Sequence, residues 1–164
     1  RRIFASAPDT WRAFEAPVSG GPQGARQGSM TIFLAGPAAS DTEDKLLADI
    51  SGRVFRMQSY GQPALVKLLN NALATYNLAA TARMINLAAE HGVPAKDFFE
   101  VIAVSTGRSW MSDNLIDVQY DLLLKDLDLL RGELGSLPAA GLDEGVEQAI
   151  LQARAQLGAD SAGR

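Results

Sequence analysis

The sequence predicts a mixed architecture, in which the closing strands of an open α/β sheet lead into an all-α domain built on one long helix. Three observations predict it. Residues 1–60 alternate strand-like runs with glycine punctuation, whereas almost everything after Pro63 carries helical periodicity. The helix that begins there is apolar around most of its circumference, the pattern of an element buried by its neighbours. The strands are too few for a self-sufficient open sheet, which normally buries both faces under helices. The change of composition near Gly61 sets an expected boundary, with one unit over residues 1–60 and a second over 61–164.

In the first unit, strands are expected over 12–18, 30–35 and 53–57. Between the last two, Ser40-Asp41-Thr42-Glu43-Asp44 supplies N-cap and first-turn acids for a short helix over 45–50. The long helix starts at Pro63, where a missing N–H costs little, and Gly92 and Pro94 end it near His91. Further helices are expected over 95–104, 113–133 and 143–156. Ser105-Thr106-Gly107-Arg108-Ser109 and the stretch 135–141 separate them, and the terminal GADSAGR is expected to fray.

Bulk composition excludes several classes of function. A net charge of -4 and a pI near 4.9, with 15 scattered basic residues, leave no footprint for nucleic acid. With no cysteine there is no disulfide framework, thiolate metal site or cysteine nucleophile, and the single His91 cannot build a metal cluster. No apolar run approaches membrane-spanning length, and Arg1-Arg2-Ile3-Phe4 does not open like a signal peptide, so the expectation is a soluble cytoplasmic protein with no membrane partner. The chain enters at once into RRIF without a Met, and is expected to be part of a longer protein.

Two constellations carry chemistry. Ala16-Pro17-Val18-Ser19-Gly20-Gly21 runs a strand into a loop of two glycines beside a hydroxyl. Such a loop turns sharply and presents backbone N–H groups at close range to a carboxylate, although most Ser-Gly-Gly loops are only loops. Lys67 and Asn71 lie four residues apart on one face of the long helix. The apolar neighbours of Lys67 favour a desolvated amine able to give or take a proton near neutral pH, with Asn71 holding a hydroxyl or carbonyl in register. The plainer alternative has Lys67 reaching to solvent at the helix start. Asn70 and Asn77 add polar groups to the same helix. Lys125-Asp126 sits in LLLKDLDLL, a pattern that amphipathicity alone explains, and Arg108 suits either an anion or a helix terminus.

Taken in order, EAPVSGGPQGARQGSMTIFLAG, GQPALVKLLNNALATYNLAATARMINLAAEHGV, STGRSW and LLLKDLDL resemble four segments of the β-hydroxyacid dehydrogenase family, across about residues 1–138. This family includes 3-hydroxyisobutyrate dehydrogenase, tartronate semialdehyde reductase and, more distantly, 6-phosphogluconate dehydrogenase. The resemblance implies an N-terminal Rossmann-type domain, of which this chain would hold the C-terminal strands, and a helical domain that makes homodimer or homotetramer contacts. It implies hydride transfer between NAD or NADP and a small 3-hydroxy acid or its semialdehyde. Ser19, Gly20 and Gly21 would bind the substrate carboxylate, Lys67 would be the catalytic residue, Asn71 would touch the substrate and Lys125 would lie by the cofactor; no metal is implied. The chain departs from the family at Pro63, where a second glycine is usual, at Arg83, where an acid is common, and at Val118, where an aromatic is frequent.

No G-x-G-x-x-G follows a strand and opens a helix in these 164 residues, so the chain alone is expected to be nearly inactive. Two other readings share the fold. One is a non-catalytic oligomerisation module, against which the joint presence of Lys67 and Asn71 argues. The other is an imine reductase, in which another proton donor commonly replaces the lysine.

Overall fold

The structure is a computed structural model and describes residues 8, 10–137 and 145–158. In chain order its elements are β1 (Val18–Ser19), α1 (Gly21–Arg26), β2 (Met30–Leu34), α2 (Asp41–Ile50), β3 (Ser51–Arg56), α3 (Gln62–Glu90), α4 (Ala95–Val104), α5 (Trp110–Asp113), α6 (Tyr120–Leu134) and α7 (Val146–Gln156). Two compact units divide within α3, Arg1–Leu69 and Asn70–Arg164.

In the first unit β2 is the middle of a three-stranded sheet. β1 pairs with it antiparallel, Val18 opposite Ile32 and Ser19 opposite Thr31. β3 pairs with it parallel after the α2 crossover, in the register Ile32 to Val54 and Phe33 to Phe55, with an irregularity between Met30 and Thr31. The run Ile32-Phe33-Leu34-Ala35 is buried, as the centre of a sheet requires, and the Phe33 and Phe55 rings stack with centroids 6.2 Å apart. Phe55, Leu46 and Ile50 remain exposed.

The strand expected over 12–18 is shorter than its sequence pattern. Only Val18–Ser19 forms a ladder, and Glu15 makes an isolated bridge to Ala35. Pro17 interrupts it, because it has no N–H to give and joins only through its carbonyl, which accepts from Phe33 at 3.0 Å. The short helix begins at Asp41, earlier than the expected 45, because Ser40 and Glu43 close a capping box: the serine side chain accepts from Glu43 N–H and the glutamate accepts from Ser40 N–H.

In the second unit α3, α4 and α7 enclose the core. Leu78, Ala79, Ala82 and Ile85 of α3 meet Ala95 and Ile102 of α4, Met111 of α5, and Val146, Ile150 and Ala153 of α7. Periodicity located α3 and α4 well. α3 nevertheless leaves Leu73, Met84 and Leu87 exposed, so the rest of this unit does not cover its whole apolar circumference.

The helix expected over 113–133 is two elements. α5 stops at Asp113 and α6 starts at Tyr120. Asn114 Nδ2 donates back to the Trp110 carbonyl at 2.7 Å. Arg154 takes the carbonyls of Leu115 and Val118 at 2.9 and 2.7 Å, groups that an unbroken helix would use internally. The expected start of the last helix at 143, most of the 135–141 loop and residues 159–164 lie outside the described residues. Among the described residues no helix is long and apolar enough to cross a membrane, and no group of three His, Asp or Glu side chains suits a metal ion.

Candidate active site

β1 ends in the first candidate group. Ser19 is half-buried, and the chain then turns through Gly20 at φ 125° and Gly21 at φ 61°. Side chains rarely adopt either conformation, which explains the glycine pair in backbone terms. A Cβ placed on Gly21 would meet nothing within 4 Å, so the backbone there stands open to an approaching group. The segment expected to be a loop opens directly into α1, with Gly20 as N-cap and a proline in the first turn. A hydroxyl and an accessible glycine backbone side by side suit a carboxylate, which accepts hydrogen bonds and gives none.

Lys67 lies on the second turn of α3 and is half-buried. The sequence around the start of this helix offers no side-chain cap. Gly61 at the N-cap and Ala64 at N3 carry no acceptor, and Pro63 has no N–H. Glu15 fills the gap. Its buried carboxylate accepts from Gly61 N–H and, at 3.0 Å, from Ala64 N–H, while Gln62 N–H goes to the Ser59 carbonyl. Tyr60 adds a bond from its hydroxyl to the Ala13 carbonyl at 2.9 Å. The segment that leads into Ser19, Gly20 and Gly21 is thereby tied to the first turn of α3, one turn before Lys67, entirely within the first unit.

Four residues further along α3 comes Asn71, half-buried in the second unit. Its Nδ2 donates to Asp126 Oδ2 of α6 at 2.6 Å, and its Oδ1 accepts from Asn70 Nδ2 at 3.4 Å. Asp126 is buried, whereas the adjacent Lys125 is exposed. Successive helix positions are about 100° apart, so one side chain of this dipeptide turns inward and the next outward. An exposed ammonium fits a phosphate or carboxamide oxygen of a dinucleotide; the glycine loop that would cradle a pyrophosphate is not in this sequence.

The other polar candidates have ordinary duties or face solvent. Arg108 is held by both oxygens of Asp113, at 3.1 and 3.0 Å, which makes it a local tie of the loop before α5. Asn77 and His91 are exposed. Glu43 is held at about 2 by the Arg12 guanidinium and then by Ser40, and the Tyr120 phenol is pushed up, first by burial and then by the Glu147 and Asp121 carboxylates. Sequence reasoning missed Glu15 and named Asp126 only beside Lys125, in a pattern that amphipathicity alone explains. A lone acid in a strand beside apolar residues was the available signal for the first; for the second, only the position of Asp126 on the inward face of LLLKDLDLL hinted at a buried acceptor.

Comparison with known proteins assigns the two parts of the chain. The family described as NAD-binding of NADP-dependent 3-hydroxyisobutyrate dehydrogenase matches residues 61–163, and the NAD binding domain of 6-phosphogluconate dehydrogenase matches residues 2–58. L-threonate dehydrogenase of Cupriavidus necator is 38% identical over 128 residues, which cover 71% of this chain and 43% of that one. The crystal structure of 3-hydroxyisobutyrate dehydrogenase from Salmonella typhimurium superposes with a TM-score of 0.69 at 29% identity, covering 88% of this chain and 54% of that one. Psf3 in complex with NADP+ and 2-OPP gives a TM-score of 0.67 at 26% identity, over 90% of this chain and 56% of that one. The chain therefore spans less than half the length of the threonate enzyme and little more than half of either solved chain. With the small sheet, the long α3 and the helical second unit already in evidence, the chain belongs to the 3-hydroxyisobutyrate dehydrogenase family of NAD(P)-dependent hydroxyacid dehydrogenases.

Proposed function

We propose that the protein carrying this chain is an oxidoreductase that interconverts a small 3-hydroxy acid and its semialdehyde with NAD or NADP, and that Lys67 is its general acid and base. The observation that supports this most directly is the Glu15 tie, which couples the segment before the Ser19-Gly20-Gly21 turn to the start of the helix whose second turn bears a half-buried lysine. In this reading residues 1–60 contribute the end of the cofactor domain and 61–164 form the helical dehydrogenase domain.

Ser19, Gly20 and Gly21 hold the substrate carboxylate through the hydroxyl and backbone N–H groups, which fixes the rest of a short molecule relative to the protein. Asn71 engages the reacting oxygen. A nicotinamide cofactor, when bound, supplies the hydride acceptor for oxidation and the hydride donor for reduction. Lys67 moves the proton: as amine it takes the hydroxyl proton when the alcohol is oxidised, and as ammonium it returns a proton to the carbonyl oxygen on reduction. Lys125, exposed on α6, is assigned to the cofactor.

Turnover of 3-hydroxyisobutyrate, glycerate and L-threonate with NAD and with NADP tests the reading, on the full-length protein beside Lys67→Ala. Removal of a general acid and base is expected to lower kcat by about 100-fold or more, with the fold intact by circular dichroism. Failure to oxidise any of the three, or turnover indifferent to Lys67, would sink it.

A further inference from the structure

We infer that Thr31 completes the carboxylate site, its hydroxyl taking the second oxygen of the acid group that Ser19, Gly20 and Gly21 hold by the first. The inference rests on the reading of those three residues as the carboxylate site and adds to it a specificity-determining residue from the neighbouring strand.

Strand register carries the argument. β1 and the residues before it pair with β2 without a slip: Glu15 bridges Ala35, the Pro17 carbonyl accepts from Phe33 N–H, and Ser19 stands opposite Thr31. Side chains alternate between faces along a strand, and directly opposed residues of an antiparallel pair share a face. Glu15, Pro17 and Ser19 therefore point to one side of the sheet, and Thr31 points there with them. The same side holds the start of α3, the helix of Lys67, because the Glu15 carboxylate accepts from the Gly61 and Ala64 N–H groups.

Opposed side chains of such a pair have their Cβ atoms about 5 Å apart. Two hydroxyls at that spacing reach the two oxygens of one carboxylate, each in a charge-assisted bond. A carboxylate accepts about four hydrogen bonds, so Thr31 competes with neither Ser19 nor the glycine N–H groups. Both side chains are half-buried, and among the described residues neither hydroxyl is taken by a protein partner. Arg53, beside Thr31 on β3, is the rival group for an anion, but its guanidinium lies over the Phe55 ring two residues along, 5.3 Å from the centroid. One held oxygen leaves an acid group free to swivel about that bond. Two fix its plane, and with it the direction in which the carbon chain leaves the site. Thr31 acts on the acid group alone, which hydroxy acid and semialdehyde share, and takes no part in proton transfer.

Steady-state kinetics of the full-length protein test this, with 3-hydroxyisobutyrate or L-threonate as substrate, according to which the wild type oxidises. Thr31→Val keeps the branched shape and removes the hydroxyl. It is expected to raise the hydroxy-acid KM about tenfold, the worth of one hydrogen bond to a charged group. The KM of the corresponding semialdehyde should rise by the same factor in the reverse direction, while kcat and the cofactor KM hold within about twofold. Thr31→Ser, which keeps a hydroxyl, is expected to recover most of the loss and guards against a folding defect of the valine variant. An unchanged hydroxy-acid KM in Thr31→Val, beside a raised one in Ser19→Ala, would overturn the inference and leave Ser19 as the carboxylate contact. Equal losses in the valine and serine variants, a parallel rise in the cofactor KM, or a rise for the hydroxy acid without one for the semialdehyde would overturn it too. If Ser19→Ala itself leaves the hydroxy-acid KM unchanged, the carboxylate reading falls, and the inference with it.

Discussion

Single carboxylates organise the first unit, and each does so through partners distant in sequence. Arg12 reaches Glu43 with two nitrogens, at 3.1 and 2.7 Å, and spends a further bond on the Ala38 carbonyl. The Ser40 N–H and hydroxyl add to the same carboxylate, at 2.7 and 2.9 Å. These donors hold Glu43 at about 2, below its ordinary 4.5. A depressed folded-state value means that the charged form is favoured by folding, so its stabilising contribution is complete above the unfolded value and disappears as pH falls from about 4.5 through about 2. NMR titration of the Glu43 carboxyl carbon should find its midpoint near 2, and Arg12→Gln should move that midpoint upward. A midpoint near 4.5 in the unaltered protein would show that the ion pair does not hold in solution. At this scale sequence legibility was uneven. Ser40 as an N-cap followed from local pattern, and the placement of Lys67 and Asn71 on one helix from their spacing, but Glu15 and Asp126 act on partners 46 to 55 residues away, which no local pattern encodes.

Among the elements, the division between α5 and α6 illustrates how a tertiary contact overrides helical periodicity. Apolar spacing continues from 113 to 133, yet the chain leaves the helix between Asp113 and Tyr120 and is held there by Arg154 of α7. The guanidinium also lies over the Tyr120 ring, 5.3 Å from its centroid. Arg154→Ala leaves two part-buried carbonyls without their donor and is expected to cost about 2–3 kcal/mol, or about 5–10 °C in Tm by calorimetry. Arg154→Lys should recover little, since an ammonium cannot span two carbonyls with a planar fork. A loss below about 0.5 kcal/mol for the alanine variant would mean that α5 and α6 are separated by something else. The elements that were legible, α3 and α4, combine long apolar periodicity with Gly92 and Pro94 as stops. β1 was overdrawn because Pro17 breaks the ladder, and α1 was invisible because six residues rich in glycine carry no period.

For the whole molecule, the exposed apolar groups bear on assembly. Leu73, Met84 and Leu87 lie uncovered on α3, with Leu73 59% exposed, and α6 leaves Leu122 and Leu129 exposed as well. Large aliphatic side chains at that exposure, repeated along one helix, suit an interface between copies. The homodimer or homotetramer that the family resemblance implies is checked by light scattering coupled to size exclusion, where Leu73→Glu should shift the population toward monomer. A monomeric parent at micromolar concentration would contradict it. The fold class was legible because it depends on bulk pattern, strand-like runs before Gly61 and helical ones after. Self-association is not readable in the same way, since the same leucines would serve a buried core.

The Glu15 cap also has a kinetic side. Most helices can begin from residues already adjacent in the chain, but the first turn of α3 takes its acceptor from a segment 46 residues earlier. Until that segment docks, Gly61 and Ala64 amides have only solvent to bond, so this turn cannot become protected ahead of the sheet. Slow hydrogen exchange at Ala64 would then mark the moment at which the segment carrying Glu15 has joined the helix. Fast exchange there, with the middle of α3 still protected, would reveal a state in which α3 exists without its Glu15 cap.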